Sequence, residues 1–337
     1  MIKIIIISCL FLCFLWSCTG DMEVLYPTEL NFEWQLISKN NADQYVNEIV
    51  FVDSEKGWMI GNEGTILMTN NGGYSWQTQE SSTTKELRAI SFLNRDEGWI
   101  TGLNNTLLYT SNGGKKWQQI NIHNDTTKHN TDIYFIDEQK GWLLTNHGDV
   151  FKTNDGGNNW EKLFEFPNFG WSKIRFKDSS FGYAMQFYGN KLMTTEDGGI
   201  SWKEYKLSIA GAKLGIMVRD IYFVDRFTGY YIYSWASGGI MEMATPVMKT
   251  EDGGYKWVFQ DSVMSPYLRI IHFFDKENGL LAGSNCVYTT ESSGLEWECI
   301  AKLNESDIIT DIYFLDNEIG WGLASNGTIY RVSIKRS

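Results

Sequence analysis

One pattern recurs seven times along the chain and constrains the fold more than any other feature. It consists of an isoleucine, a phenylalanine two residues later, an aspartate or asparagine two further on, and a glycine four after that. The repeat isoleucines are Ile49, Ile90, Ile133, Ile174, Ile221, Ile271 and Ile312, spaced 41 to 50 residues apart. A repeat of roughly 20–50 residues indicates an array of like supersecondary units. The 337 residues therefore form one repetitive domain preceded by a leader, rather than two unrelated domains.

A second motif, Thr-x-(Asp/Asn)-x-Gly-x-x-Trp, closes most copies. It runs over 69–76, 110–117, 153–160, 195–202 and 250–257, with a weaker sixth copy over 290–297. An Asp or Asn side chain that bonds turn N–H groups, followed by a glycine at positive φ, is typical of a tight turn. The tryptophan is expected to pack beneath this turn. Most of the 14 tryptophans are therefore predicted to be structural.

Each copy contains four candidate strands. The Ile-x-Phe alternation predicts the first, the Gly-aromatic pair begins the second, a segment such as 65–68 forms the third, and the motif tryptophan begins the fourth. Four strands in about 42 residues are one blade of a β-propeller. The last copy lacks a fourth strand, and residues 32–36 match the missing one. The sequence thus predicts an all-β, seven-bladed propeller over residues 30–337, closed by the N-terminal strand, with no edge left open at the seam.

The turn motif resembles the Asp-box, or BNR, repeat. The longer unit, exemplified by Ile133 to Trp160, resembles the photosystem II assembly and stability factor family over about residues 30–334. This resemblance implies a protein-binding scaffold or assembly factor. Asp-box repeats also occur in sialidases, other glycosidases and sorting receptors, so a glycan-binding or glycoside-hydrolysing surface lipoprotein is the alternative.

The N-terminus has the pattern of an export signal. Lys3 precedes an apolar run within residues 1–17, which is too short to span a bilayer comfortably. Residues 15–18 resemble a bacterial lipobox, which predicts lipidation of Cys18, a tether over 18–29 and an exported membrane lipoprotein on the periplasmic or cell-surface side. The alternative is an ordinary secretory signal with a chance cysteine. In an oxidising compartment, Cys286 and Cys299 are a candidate disulfide, the alternative being two separate buried thiols.

Several function classes are disfavoured. A net charge of −12 argues against nucleic acid as a partner. No nucleophile elbow or metal motif is present, and the four histidines are scattered, so no cofactor, metal or catalytic residue is predicted. The Arg-Ile-Pro segment of sialidases is missing, and a generic glycosidase pair of carboxylates cannot be chosen from sequence. We expect a monomeric binding protein; if it is an enzyme, it is a glycoside hydrolase.

Candidate binding residues fall on one face of the predicted ring. Two long loops, 205–218 and 234–246, lie on neighbouring blades of that face, and they either contact a protein or glycan partner or pack on each other. Arg88, Arg219 and Arg269 each stand two residues before a repeat isoleucine, near the channel mouth. They either hold an anion or pair with the acids of neighbouring blades. The position directly before the repeat isoleucine is often acidic, as at Glu48 and Asp132. Trp171, Trp235 and Tyr267 are predicted to add a stacking surface for a sugar or peptide.

Overall fold

The protein is a ring of seven four-stranded antiparallel sheets, in six of which neighbouring strands pair in chain order. A computed structural model describes residues 30–39, 45–123, 125–187, 190–207, 216–235, 244–265, 267–284 and 286–336. The only helical turn within those ranges is a 3-10 turn at Asn62–Gly64. No helix in the described ranges is long and apolar enough to cross a membrane. The predicted signal, Cys18 and the tether lie outside the described residues.

The strands follow the repeat. Blade 1 comprises β2 (Val46–Phe51), β3 (Gly57–Gly61), β4 (Ile66–Thr69) and β5 (Gln77–Gln79). Blade 2 comprises β6 (Leu87–Phe92), β7 (Glu97–Gly102), β8 (Thr106–Ser111) and β9 (Gln118–Gln119). Blade 3 comprises β10 (Asn130–Phe135), β11 (Gly141–Thr145), β12 (Asp149–Thr153) and β13 (Glu161–Glu165). Blade 4 comprises β14 (Trp171–Phe176), β15 (Gly182–Gln186), β16 (Lys191–Thr195) and β17 (Lys203–Lys206).

The remaining blades complete the ring. Blade 5 comprises β18 (Ile216–Phe223), β19 (Gly229–Trp235), β20 (Thr245–Thr250) and β21 (Val258–Val263). Blade 6 comprises β22 (Ile270–Phe273), β23 (Gly279–Ala282), β24 (Cys286–Thr290) and β25 (Glu298–Lys302). Blade 7 comprises β26 (Ile309–Phe314), β27 (Ile319–Ala324), β28 (Thr328–Arg336) and, as its outer strand, β1 (Leu30–Lys39).

The N-terminal strand closes the ring, which confirms the predicted architecture. β1 pairs antiparallel with β28, from Leu30 opposite Arg336 to Lys39 opposite Thr328, with one bulge between Leu36 and Ser38. The outer strand of blade 7 therefore comes from the opposite end of the chain to its three inner strands. The seam between the first and last copies is held by a full-length ladder rather than by loose contact.

Aromatic stacking between blades explains the Phe and Gly-aromatic positions of the repeat. The repeat phenylalanine stacks on the ring that follows the glycine in the preceding blade: Phe51 on Trp321 at 3.6 Å, Phe92 on Trp58 at 3.5 Å, Phe176 on Trp142 at 3.6 Å and Phe273 on Tyr230 at 3.6 Å. The glycine makes room for the phenylalanine of its own blade. A Cβ at Gly57 would lie 2.5 Å from the Phe51 ring, a distance that real Cβ atoms do not tolerate.

The Asp-box turn is a hydrogen-bonded unit centred on a buried threonine. In blade 4, Thr195 Oγ1 accepts from the N–H of Gly199 at 3.0 Å and donates to Asp197 Oδ1 at 2.8 Å. The Trp202 indole N–H donates to the carbonyl of Gly199 at 3.0 Å, and its ring meets Phe176 edge-on. The weaker sixth copy forms the same turn, because Ser292 Oγ replaces the carboxylate and accepts from the N–H of Glu296 at 3.0 Å.

Replacing Thr195 by valine is expected to destabilise the protein by about 1–3 kcal/mol, because the buried N–H of Gly199 loses its acceptor without any change in shape. Thermal unfolding followed by circular dichroism measures the effect. Thr194→Val is the matched control, since Thr194 lies in the same strand and its hydroxyl bonds no residue of the described structure. Equal Tm values for the two variants would show that the turn does not depend on this hydroxyl.

Cys286 and Cys299 lie on the neighbouring strands β24 and β25 and are joined by a disulfide, with their Cα atoms 5.9 Å apart. The bridge links the third and fourth strands of blade 6. It restrains the outer strand of a blade whose Asp-box is the most divergent of the six.

Candidate functional site

The ring has two chemically different faces. The turns after the first and third strands of each blade, including the Asp-box turns, lie on one face, which we call the Asp-box face. The opposite face, which we call the mouth face, carries the starts of the innermost strands and the loops between second and third strands. The two long loops belong to the mouth face. Ile216 pairs with Trp235, so β18 and β19 extend into the two segments, and residues 208–215 and 236–243 of the predicted loops lie outside the described residues.

A β-bulge shapes the start of the innermost strand in six of the seven blades. The residue two places before the repeat isoleucine is the bulged one. Its hydroxyl, where it has one, donates to a carbonyl of the second strand: Thr131 to Leu144 at 3.1 Å, Ser172 to Met185 at 3.4 Å and Thr310 to Leu323 at 3.2 Å. A bulge leaves backbone groups out of the ladder. These three hydroxyls bond backbone carbonyls of their own blade, so their first role is to stabilise the fold.

The next residue ties neighbouring blades together. Four backbone N–H groups of repeat isoleucines donate to a carboxylate of the preceding blade: Ile49 to Asp311 at 2.9 Å, Ile90 to Glu48 at 2.6 Å, Ile174 to Asp132 at 2.7 Å and Ile271 to Asp220 at 3.1 Å. Four of the seven blade junctions thus carry the same bond. The sequence shows these acids immediately before the isoleucines, but their bonds to backbone N–H groups of the next blade were not predicted.

A charged cluster occupies the ring axis. Arg175 of blade 4 pairs with Asp132 of blade 3 and lies 3.8 Å from Glu48 of blade 1, so its guanidinium reaches across the axis. Lys173 pairs with Asp220 at 2.5 Å. Burial and the nearby Asp311 raise the pKa of Glu48 well above its usual value. Burial likewise raises the pKa of Asp311 to about 6. We call these six side chains the central cluster.

A cavity of about 620 Å³ opens at the channel mouth over blades 1 to 4. Its lining includes the bulged residues of these four blades, Asn47, Arg88, Thr131 and Ser172. We call it the mouth cavity. Its position at the axis follows from the bulges, because they turn equivalent side chains of successive blades toward the same opening.

One wall of the mouth cavity is charged. Arg88 Nε lies 3.1 Å from Glu86 Oε1, with 34% and 36% of the two side chains exposed. The terminal guanidinium nitrogens of Arg88 bond no residue of the described structure, so they are available to a ligand. His129 stands beside this pair, and its Nδ1 accepts from the N–H of Asn104 at 3.1 Å. Burial and the Arg88 charge lower the pKa of His129, which keeps the ring neutral near pH 7.

The other wall is aromatic. Phe169 and Phe187 line it, and Phe169 is 62% exposed, with the His147 ring edge-on at 5.3 Å. Phe169 lies between two residues at positive φ, Asn168 at 71° and Gly170 at 101°. The turn over residues 168–170 therefore holds the Phe169 ring in solvent at the edge of the mouth cavity. Sequence reasoning missed Phe169, although the Pro-Asn-Phe-Gly segment signals a turn that presents the ring.

The family model described as photosynthesis system II assembly factor YCF48 matches residues 26–168. The chain is an Asp-box propeller that resembles YCF48. A search of curated proteins by sequence finds no match.

Solved structures share the fold of this YCF48-like propeller. A structure of YCF48 bound to a D1 peptide is 20% identical with a TM-score of 0.70, covering 89% of this chain and 96% of that one. YCF48 from Cyanidioschyzon merolae is 18% identical with a TM-score of 0.73, covering 88% and 98%. A GH74 xyloglucanase from Xanthomonas campestris is 12% identical with a TM-score of 0.64, covering 89% and 53%. At these identities the likenesses establish the fold alone.

The three predicted arginines of the YCF48-like propeller do not share one cavity. Arg88 lines the mouth cavity. Arg219 belongs to blade 5, where its Nε donates to Ser234 Oγ at 3.0 Å, and Arg269 is exposed before the first strand of blade 6. The equivalent sequence position therefore does not bring the three side chains to the described cavity, which spans only blades 1 to 4.

The three predicted stacking residues do not form one surface in the mouth cavity either. Trp171 lines the cavity but is only 1% exposed, because its ring packs on Phe166 at 4.4 Å. The prediction of Trp171 as a stacking platform was wrong: a ring buried in the blade core offers no face to a ligand. Tyr267 is 56% exposed but lies on blade 6. Trp235 ends β19, and its side chain lies outside the described structure. Within the described ranges, no group of three His, Cys, Asp or Glu residues is placed to hold a metal ion.

Proposed function

We propose that this protein is an exported, membrane-tethered, non-catalytic scaffold that binds an extended segment of a protein partner in the mouth cavity and so acts as an assembly or stability factor. The observation that carries the proposal is the pairing, in one cavity at the ring axis, of an arginine with unbonded terminal nitrogens and an exposed phenylalanine. A similar propeller, YCF48, has been solved with a D1 peptide, which supports a peptide as the class of ligand.

The size of the cavity favours a short stretch of chain. Its 620 Å³ lies within the range of about 300–1,000 Å³ that is usual for small-ligand sites. A few residues of an extended segment fit such a volume, whereas a folded domain does not. Arg88 would receive a carboxylate or backbone carbonyl, because a guanidinium is a fork of donors. Phe169 would pack against an apolar side chain of the same segment.

Glycan binding is the second candidate, since an exposed ring such as Phe169 can also stack on a sugar. Hydrolysis has less support. A glycosidase requires two carboxyl groups at a defined separation, whereas the mouth cavity is lined by one carboxylate, Glu86, which already pairs with Arg88. The structural likeness to a xyloglucanase extends to the fold only.

Membrane tethering through Cys18 is a separate part of the proposal. When the Cys18→Ser variant is produced in the cell, we expect it to move from the membrane fraction to the soluble fraction. It should also lose the fatty acid that the wild-type protein incorporates in metabolic labelling. An unchanged membrane fraction would show that tethering does not depend on Cys18. This outcome would leave the binding proposal for the mouth cavity intact.

Arg88→Ala is expected to lower recovery of the native partner by about tenfold, because one buried charged hydrogen bond at an interface is worth roughly 1.5–3 kcal/mol. The measurement is affinity capture from native membranes, quantified by mass spectrometry, with Phe169→Ala as a second cavity variant. Arg269→Ala is the matched control, since it removes an equivalent arginine outside the cavity.

Equal recovery by wild type and both cavity variants would overturn the assignment of the mouth cavity. Loss with Arg269→Ala alone would move the site to blades 5 and 6. Recovery of oligosaccharides rather than a protein, abolished by Phe169→Ala, would favour the glycan candidate. The fold should survive in all variants, because an ion pair as exposed as that of Arg88 and Glu86 contributes only about 0–1 kcal/mol.

A further inference from the structure

The tips of the Asp-box turns differ around the ring. The residue after the second glycine of each turn lies at the tip of the Asp-box face. It is apolar and exposed in blades 1, 4, 5 and 6, at Tyr74 (54%), Ile200 (65%), Tyr255 (76%) and Leu295 (58%). It is polar in blades 2 and 3, at Lys115 and Asn158. The four apolar tips, which we call the apolar arc, therefore belong to blades 4 to 6 on one side of blade 7 and to blade 1 on the other.

Blade 7 is where the N-terminal segment leaves the ring. β1 begins at Leu30, opposite Arg336, and Ser333 in the same strand pairs with Ile319 beside the first turn of the blade. The start of β1 thus lies on the Asp-box face. The segment before Leu30 departs from that face, between the tips of Leu295 in blade 6 and Tyr74 in blade 1.

The length of that segment limits how the ring can be held. Residues 18–29 are 12 residues and span at most roughly 40 Å. β1 itself is 10 residues, which span about 33 Å from the Asp-box face to the mouth face. An anchor at residue 18 could reach a surface beneath the mouth face only by running back along almost the whole blade. The Asp-box face is therefore the one that a tethered ring turns toward the surface.

One further exposed apolar residue lies on the Asp-box face, outside the Asp-box turns. Phe227 is 58% exposed in the first turn of blade 5. The equivalent positions in the other six blades are all polar, at Glu55, Asp96, Gln139, Ser180, Glu277 and Glu318. Isolated apolar tips separated by polar turns suit shallow insertion into a lipid surface, where each ring or branched chain is buried independently.

We propose that the apolar arc rests on the lipid bilayer that holds the N-terminal anchor, so that the mouth cavity faces away from the membrane. This proposal rests on the tethering part of the proposed function. The contact is apolar rather than electrostatic, because two of the basic residues on this face are already paired, Lys276 with Asp225 at 2.8 Å and Arg226 with Asp178 at 3.7 Å, and the protein carries a net charge of −12. Anionic lipid should therefore weaken the contact, since the protein is strongly acidic.

The test uses the exported chain from residue 18 with Cys18→Ser, held by an N-terminal histidine tag on phosphatidylcholine vesicles that contain a nickel-chelating lipid. This attachment fixes the anchor point whether or not Cys18 is lipidated in the cell. Single cysteines that carry an environment-sensitive NBD label are placed at Tyr255 and Leu295 in the arc. The matched controls are Asn158→Cys at a polar Asp-box tip and Tyr267→Cys on the mouth face, in the loop that joins blades 5 and 6. The native disulfide stays closed.

NBD at residues 255 and 295 is expected to brighten about twofold or more and to shift to the blue on vesicles, with no change at residues 158 and 267. The gain should shrink when anionic lipid is added. Equal signals at all four positions, or a gain confined to residue 267, would overturn the proposed orientation. Since the tag supplies the anchor, that result is distinct from a failure of natural lipidation, which the Cys18→Ser export experiment detects.

Discussion

A chain that lacks residues 1–39 is expected to lose cooperative folding. Removal of β1 deletes nine register pairs with β28 and uncovers the inner strands of blade 7. Cross-strand pairs contribute about 0.2–1 kcal/mol each, and loss of the half-buried Phe32, Trp34 and Ile37 adds to that. The sum, about 5–10 kcal/mol, is comparable with the whole stability of a typical domain. Calorimetry and near-ultraviolet circular dichroism should show a broad transition or none.

The matched control is a chain that begins at residue 30. It retains β1 and lacks only the segment before the described structure, so it should unfold in one sharp transition. A synthetic peptide of residues 30–39, added to the shorter chain, should bind in the vacant position and restore part of the transition. If the chain from residue 40 unfolds as sharply as the control, the seam does not depend on β1.

Arg175→Met is expected to cost about 3–5 kcal/mol at neutral pH, a fall in Tm of about 5–8 °C. The substitution leaves Asp132 and Glu48 buried without their cation, and an uncompensated buried charge is costly. Arg226→Met is the matched control. Its pair with Asp178 spans 3.7 Å with about half of each side chain exposed, so its loss should change stability by about 0–1 kcal/mol. Equal effects for the two variants would mean that the central cluster does not stabilise the ring.

The cost of Arg175→Met should depend on pH with a definite sign. Burial already raises the pKa of Asp132 and Glu48, and loss of the guanidinium raises both further. A carboxyl whose pKa is higher in the folded state favours folding fully below its unfolded pKa, about 4, and loses that advantage as pH rises through the folded value. The deficit relative to wild type should therefore be smaller at pH 5 than at pH 7.5. A deficit that grows in acid would contradict this account.

The architecture could be predicted because the repeated residues are the ones that pack against each other within and between blades. Each repeat Phe lies over the glycine of its own blade, and four of them stack on the ring that follows the glycine of the preceding blade, so the repeated residues specify how the blades pack. The matching of residues 32–36 to a fourth strand had the same origin. The Asp-box likewise predicts its turn, because the Thr hydroxyl accepts from the glycine N–H and donates to the Asp carboxylate.

The site was only partly predictable, for a physical reason. Equivalent positions in a ring point toward the axis from different directions, so likeness in sequence does not place Arg88, Arg219 and Arg269 in one cavity. Trp171 was misread because its ring packs on Phe166, a contact that the repeat does not encode. Phe169 and the inter-blade carboxylates depend on loop conformation and on the bulge. The register shift that creates the bulge leaves no signature in composition.

Closure by β1 sets the order in which the molecule can be completed. β1 pairs with a strand almost 300 residues away, so its ladder is among the most non-local contacts in the chain, and such contacts form late because a large loop must close first. Blades 1 to 6 can each assemble from contiguous sequence, whereas β1, the first strand in chain order, must wait for β28, the last. Folding thus finishes at blade 7, and a chain in which β28 has not yet been synthesised cannot close the ring.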